Sequence, residues 1–416
     1  MHNLIADYLE EILDEVRDHA AGEIPTYISS LTKADPEWLG IAMCTTSGRV
    51  YEAGDTDVSF TIQSVSKPFI YALALQECGL ERVLDVAGME PSGEAFNELS
   101  LREEDKRPLN PMINAGAIAV NQLINGEESP VADRVEVILD FMSRLAGRPL
   151  ELDEESAVDE LEKADRNLSI AHMLRSHDVI VDAAHDAVDS YTRQCSALVT
   201  LRDLAVMSGT LANGGVQPVT GEKLLDPEVC RQTLSVMSSC GMYDAAGRWM
   251  ARVGIPAKSG VSGGLIGTLP GQLGIATLSP RLDPAGNSVR GVDVFENLST
   301  DMGLHLMSTE HRTGSHAVRS VDRSGEDTII TLQGVVTFTA AEEILHKLNS
   351  LDFVSERVVL DVSRVIDSHS MGRRMLKEQL QRIREAGHDI AVVDPDAELR
   401  GRQLSDGSQI PLAQDL

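Results

Sequence analysis

Apolar residues recur at Leu4, Ile5, Tyr8, Leu9, Ile12, Leu13 and Val16, in steps of three and four along an otherwise acidic segment. This spacing predicts a helix over residues 3–16 with one face against a core. Two β-leaning runs within Leu39–Gly54 flank Ser47-Gly48, the pattern of a hairpin. From about residue 69 to 250 the apolar spacing is mostly helical, broken by loops at 127–130, 147–149 and 213–218. Short glycine-bearing strands return at 255–267 and 271–278, and residues 292–306 predict a closing helix. Strands at both ends of a helical insert describe an α/β sheet layer carrying a helical lobe, and a cleft between them is a natural seat for a small ligand.

Around residues 307–317 the pattern dissolves into small and polar side chains, as expected of a linker. A strand at 327–333, a helix at 339–350, a strand at 357–362, a helix at 371–386 and a strand at 389–393 then alternate. The expected organisation is a first domain over 1–306, a linker over 307–317 and a small α/β domain over 318–416.

Composition narrows the function. The 416 residues are 42% hydrophobic and 24% charged, and 65 acidic against 36 basic side chains give a net charge of -29. That charge repels phosphate backbones and anionic lipid, so neither nucleic acid nor a membrane is expected as partner. No run of roughly eighteen apolar residues occurs, and the acidic start, with Glu10, Glu11, Asp14, Glu15 and Asp18, is unlike a signal peptide. A cytoplasmic protein is expected. Cys44, Cys78, Cys195, Cys230 and Cys240 are odd in number and scattered, which predicts reduced core residues rather than disulfides or a zinc clamp. His172, His177 and His185 lack metal-ligand spacing, and no cofactor or metal is expected.

The chemistry lies in "Gln63-Ser-Val-Ser-Lys-Pro-Phe69". Pro68 lacks an N–H and is tolerated only near a helix start, so the helix is expected to begin at Ser64 or Val65. Ser64 and Lys67 then share one face of the first turn. The positive end of the helix dipole and burial both disfavour an ammonium, which makes Lys67 a base for the Ser64 hydroxyl. Free N–H groups at the helix start offer one oxyanion donor. Ser30-Leu-Thr-Lys33 has the same spacing, but it runs into Ala34-Asp-Pro36 and ends a helix rather than starting one. After the helical block, Lys258-Ser-Gly260 is expected to bring a second donor and further positive charge to the opposite wall of the cleft. The glycines of 260–267 do not make a nucleotide loop, because no long helix with a distal acidic partner follows.

Seven separated motifs occur in family order: Ile24–Ile28, Gln63–Phe69, Asn110–Ile118, Asp165–Asn167, Tyr191–Ser196, Cys240–Asp244 and Pro256–Val261. With them, residues 1 to about 306 resemble the serine-dependent glutaminases, which share the β-lactamase/penicillin-binding-protein-like α/β fold. The resemblance implies that Ser64 attacks the side-chain amide of L-glutamine, that Lys67 takes its proton, and that a glutamyl-enzyme ester is then hydrolysed to L-glutamate. It implies catalytic roles for Tyr191, as a proton relay, and for Lys258. The oxyanion donors would be the N–H groups of Ser64 and Val261. Substrate-binding positions would be Ser64, Asn114, Glu160, Asn167, Tyr191, Tyr243 and Val261, with Glu160 on the substrate ammonium and Asn114 and Asn167 on its carboxylate. Ser262 stands where the family commonly has glycine. A homo-oligomer, dimer or tetramer, is also implied.

The tail resembles a STAS domain through "Val359-Leu-Asp-Val-Ser-Arg-Val365" and "Asp367-Ser-His-Ser-Met-Gly372". His369 replaces the usual phosphoacceptor serine, with Ser368 and Ser370 beside it. A serine at this helix start leaves a phosphate-operated partner switch open, and a docking or oligomerisation module with an unidentified protein partner is expected at least as much. Two other readings share these features: a penicillin-recognising acyl-transferase, which would want a Ser-Asp-Asn triplet that is absent, and an amino-acid-sensing signalling protein acting through its tail.

Overall fold

The computed structural model describes residues 4–26, 31–92, 99–308, 317–325, 327–351 and 357–413. Tyr27, Ile28 and Ser30, and most of the expected linker, lie outside them. The chain divides into two compact units, Met1–Glu296 and Asn297–Leu416. The division falls inside a helix, ahead of the boundary expected at residue 306.

The first unit is built on β1 (Gly40–Thr45), β2 (Val50–Gly54), β3 (Phe60–Thr61), β4 (Leu198–Val199), β5 (Ala257–Ser259), β6 (Gly264–Leu269) and β7 (Leu273–Leu278). Five of these form an antiparallel sheet in the order β2-β1-β7-β6-β5. Ser47-Gly48 turns the β1–β2 hairpin, as expected. Every residue of β1, β6 and β7 is buried, which explains why they read as continuous rather than alternating apolar runs.

Helices cover both faces of this sheet, and others form a lobe beside it. They are α1 (Leu4–Val16), α2 (Lys67–Leu84), α3 (Asn114–Asn121), α4 (Val131–Ala146), α5 (Glu154–Glu162), α6 (Asp165–Ser176), α7 (Ala184–Cys195), α8 (Leu201–Ala212), α9 (Pro227–Cys240), α10 (Ala246–Arg252) and α11 (Val289–Met302). On one face α8 comes so close that a Cβ on Gly274 of β7 would lie 2.2 Å from the Gly209 nitrogen. On the other, the α11 ring of Phe295 fills the place a Gly267 side chain would take and meets Trp249 at 5.3 Å between ring centroids. Among α2 to α9 a single apolar core joins Phe69, Ile70, Met112, Ile118, Phe141, Leu174 and Met237. Cys78 is half-buried rather than a core residue, because it sits on the partly exposed side of α2; all five cysteines are free thiols.

The short strands β3 and β4 pair with each other, Phe60 opposite Val199 and Thr61 opposite Leu198. The ladder continues as Ile62 N–H donates to Ala197 O at 2.9 Å. This bridge ties the segment before Ser64 to the end of α7.

The second unit holds β8 (Val318–Ser324), β9 (Asp327–Val336), α12 (Phe338–Asn349), β10 (Arg357–Ser368), α13 (Ser370–Glu385) and β11 (Asp389–Val393). Its sheet runs β11-β10-β9-β8, with β9, β10 and β11 parallel and β8 antiparallel at the edge. Arg357 of β10 grips Asp327 of β9 through two 2.6 Å hydrogen bonds. Strand β10 runs on to Ser368 across two register shifts, beyond the 357–362 expected. Among the described residues, no helix is long and apolar enough to cross a membrane.

Candidate active site

The segment Gln63–Ser66 is a single 3-10 turn, and α2 begins only at Lys67. The α-helix thus starts later than Ser64 or Val65. The cause is Gln63, whose φ of 50° is left-handed and sets a tighter turn first. Ser64, Ser66 and Lys67 are all buried.

Lys67 is held from the helical lobe. Its Nζ donates to Asn114 Oδ1 at 2.7 Å and to Met112 O at 3.3 Å. Burial pushes its pKa from the ordinary 10.5 down to about 7. Asn114 is the first residue of α3, and its side chain does not cap that helix. Instead Asn114 Oδ1 also accepts from Tyr191 Oη at 3.3 Å, while Asn114 Nδ2 donates to Asn167 Oδ1 at 3.0 Å. The approach of α3 needs Gly116, since a Cβ there would lie 1.9 Å from Asn110 O. Burial raises the Tyr191 phenol well above 10, so it remains protonated. Burial likewise pushes the neighbouring Cys195 thiol up to about 12, which disfavours a thiolate there.

Glu160 reaches in from the last turn of α5, where its Oε1 accepts from Gln63 Nε2 at 2.6 Å. Desolvation lifts its pKa to about 7. Asn167, in the first turn of α6, joins the Lys67 group through its contact with Asn114.

The sheet supplies the opposite wall. Gly260 lies against the 63–66 turn, and a Cβ there would fall 2.9 Å from Val65 Cγ2. Just before it, Lys258 Nζ donates to Ser259 O at 2.5 Å and sits 4.0 Å from the Tyr243 ring centroid. Tyr243 Oη donates to the same carbonyl at 3.0 Å. Burial, then the charge of Lys67, push Lys258 well below the ordinary lysine range. The further positive charge expected of Lys258 is therefore opposed, because two ammonium groups share one dry site. Val261 follows in a buried turn closed by Gly260 N–H to Gly264 O at 2.9 Å.

Two candidate groups thus come together: Lys67 with Asn114, Asn167 and Tyr191, and Lys258 with Tyr243. Gln63, Met112, Ser66 and Gln194 join them without having been singled out. All four stand inside quoted motifs, which was the available signal. Among the described residues no group of three or more His, Cys, Asp or Glu could hold a metal ion.

The glutaminase family profile matches residues 22–307. A glutaminase of Corynebacterium glutamicum is 61% identical over 404 residues, covering 97% of each chain. That of Corynebacterium efficiens is 59% identical over 411 residues, 99% of this chain and 97% of the other. Among crystal structures, Mglu in its glutamate form superposes with a TM-score of 0.73 at 45% identity, covering 95% of this chain and 99% of that one.

Proposed function

Since this chain belongs to the glutaminase family, we propose that it hydrolyses L-glutamine to L-glutamate and ammonia through a glutamyl ester on Ser64, with Lys67 as the base. The observation that carries this reading is the surroundings of Lys67. A neutral amine has two N–H donors and one lone pair. Met112 O and Asn114 Oδ1 account for the two donors, which leaves the lone pair for a proton. Ser64 stands one turn away, and a pKa of about 7 keeps a large share of the amine neutral at physiological pH.

The Ser64 hydroxyl proton passes to Lys67 Nζ as the Oγ–C bond forms, and the amide oxygen becomes an oxyanion facing the N–H groups of Ser64 and Val261. The C–N bond then breaks, and the Lys67 proton leaves with ammonia. Water attacks the ester with Lys67 again accepting a proton, which it returns to Ser64 Oγ as the acyl C–Oγ bond breaks and glutamate leaves. Glu160 would hold the substrate ammonium, and ionises when it does so. Asn167 and Tyr243 are left to bind the carboxylate. Asn114 contributes mainly by holding Lys67, since its oxygen already serves Lys67 and Tyr191. Tyr191, as a neutral phenol, can relay protons beside the lysine.

We assign the second unit to a STAS-like docking module, supported by its parallel β9, β10 and β11 with α12 and α13 between them. A phosphorylation switch at Ser368 is disfavoured, because its buried hydroxyl donates to Glu398 O at 2.5 Å.

Ammonia release from L-glutamine, with L-asparagine as control, tests the site. Ser64→Ala and Lys67→Met should each lower kcat about a thousandfold. Near-normal turnover by Ser64→Ala would overturn the reading.

A further inference from the structure

Helices α3 and α7 face each other through two polar rungs. In the first, Tyr191 Oη donates to Asn114 Oδ1 at 3.3 Å. In the second, Asn121 Nδ2 donates to Gln194 Oε1 at 2.8 Å. Asn121 lies seven residues, or about two turns, beyond Asn114, so both asparagines share one face of α3. Each rung ends on the turn that carries the nucleophile. The first ends on Lys67, through Asn114 Oδ1 at 2.7 Å. The second ends on Ser66, whose Oγ accepts from Gln194 Nε2 at 2.9 Å and donates to Gln63 O at 2.8 Å.

We propose that Gln194, acting through Ser66, is a positioning residue for the hydrolysis: it fixes the Gln63 carbonyl and with it the aim of Ser64. This rests on the assignment of Ser64 and Lys67 given above. Gln63 needs holding because a non-glycine residue with φ near 50° occupies a sparsely populated region of backbone space. Asn121, Gln194 and Ser66 are each no more than 1% exposed, so water cannot replace a lost partner. The same turn also presents the Gln63 side chain to Glu160 at 2.6 Å. That contact is made by the end of the Gln63 side chain, beyond its rotatable bonds, so a small rotation of the Gln63 peptide falls chiefly on the reacting hydroxyl. None of the three buried groups reaches the reacting atoms, which is why their effect should fall on turnover.

The test compares Gln194→Met, Ser66→Ala and the double variant in the full-length enzyme, with kcat and KM for L-glutamine expressed per folded molecule. Thermal melts supply the folded fraction. Each single variant should lose tenfold to a hundredfold in kcat, the scale of a small misplacement of reacting groups, with KM changed by no more than about threefold. The double variant should be no worse than the poorer single, because the two residues act along one path. Unchanged kcat per folded molecule, losses that multiply in the double variant, or a rise in KM alone would overturn the proposal. Should Gln194→Met not fold, Ser66→Ala, which removes a single oxygen, decides on the same criterion. Ser64→Ala run alongside separates the two readings. If it is inactive while Gln194→Met and Ser66→Ala turn over normally, only the positioning role fails; if it remains active, the nucleophile assignment fails instead.

Discussion

Asn114 Oδ1 lies 2.7 Å from Lys67 Nζ and accepts its N–H. A neutral amide at this point orients the amine without supplying a counter-charge for its ammonium form. Asn114→Asp would put a carboxylate in nearly the same volume and favour the ammonium. The acidic limb of the kcat/KM profile should then move up by about one to three pH units. A pH series with L-glutamine checks this, and an unmoved limb would argue against Lys67 as the base.

Lys67 and Glu160 both titrate at about 7. In the proposed mechanism each acts in its deprotonated form, the lysine to take a proton and the glutamate to hold the substrate ammonium. Activity should therefore rise with pH through about 7, with a limb steeper than one proton would give. In Glu160→Gln the limb should fall to one proton, and KM should rise about thirtyfold or more, the cost of removing one partner of a buried charge pair.

Much of this site was legible from residue order. Pro68 marks the helix start, and Lys258-Ser-Gly260 follows the helical block, so both walls of the cleft could be read locally. The linkages could not. Gln63 meets Glu160 and Gln194 meets Ser66 across long stretches of chain, and periodicity encodes nothing at that range. Glu160 lies in an acidic segment that reads as a solvated face until Gln63 is found opposite it. In the tail, β9 alternates buried and partly exposed residues and was readable. Its neighbour β8, "VRSVDRS", is a polar edge strand with no fully buried residue, so it carried no pattern to detect.

Lys67 also bears on stability. Its folded pKa of about 7 lies below the ordinary 10.5, so between these values the unfolded chain binds more protons than the folded one, and stability rises with pH. The burden is full below about 7 and fades towards 10.5. Lys67→Met should therefore melt about 2 °C or more above the parent at neutral pH while losing activity. The difference should shrink as pH approaches 10, which melts at several pH values would measure.

Gly241 closes α9 directly beneath β5, where a Cβ would lie 1.8 Å from Ala257 O. Its φ of -71° is ordinary, so the constraint is space alone. Gly241→Ala should cost about 1–3 kcal/mol in a denaturant titration and lower kcat, because pushing β5 aside moves Lys258. Unaltered stability would mean that the strand yields freely.

The pairing of Phe60–Thr61 with Leu198–Val199 joins segments made far apart in time. While the chain is being synthesised, the turn bearing Ser64 has no edge to dock on until Val199 has emerged, and the wall with Lys258 arrives later still. A growing polypeptide thus carries Ser64 and Lys67 apart from the opposite wall. On the roles proposed for them, hydrolytic power would come into being late, when the last pieces of the first unit close around them, and unfinished chains would leave glutamine untouched.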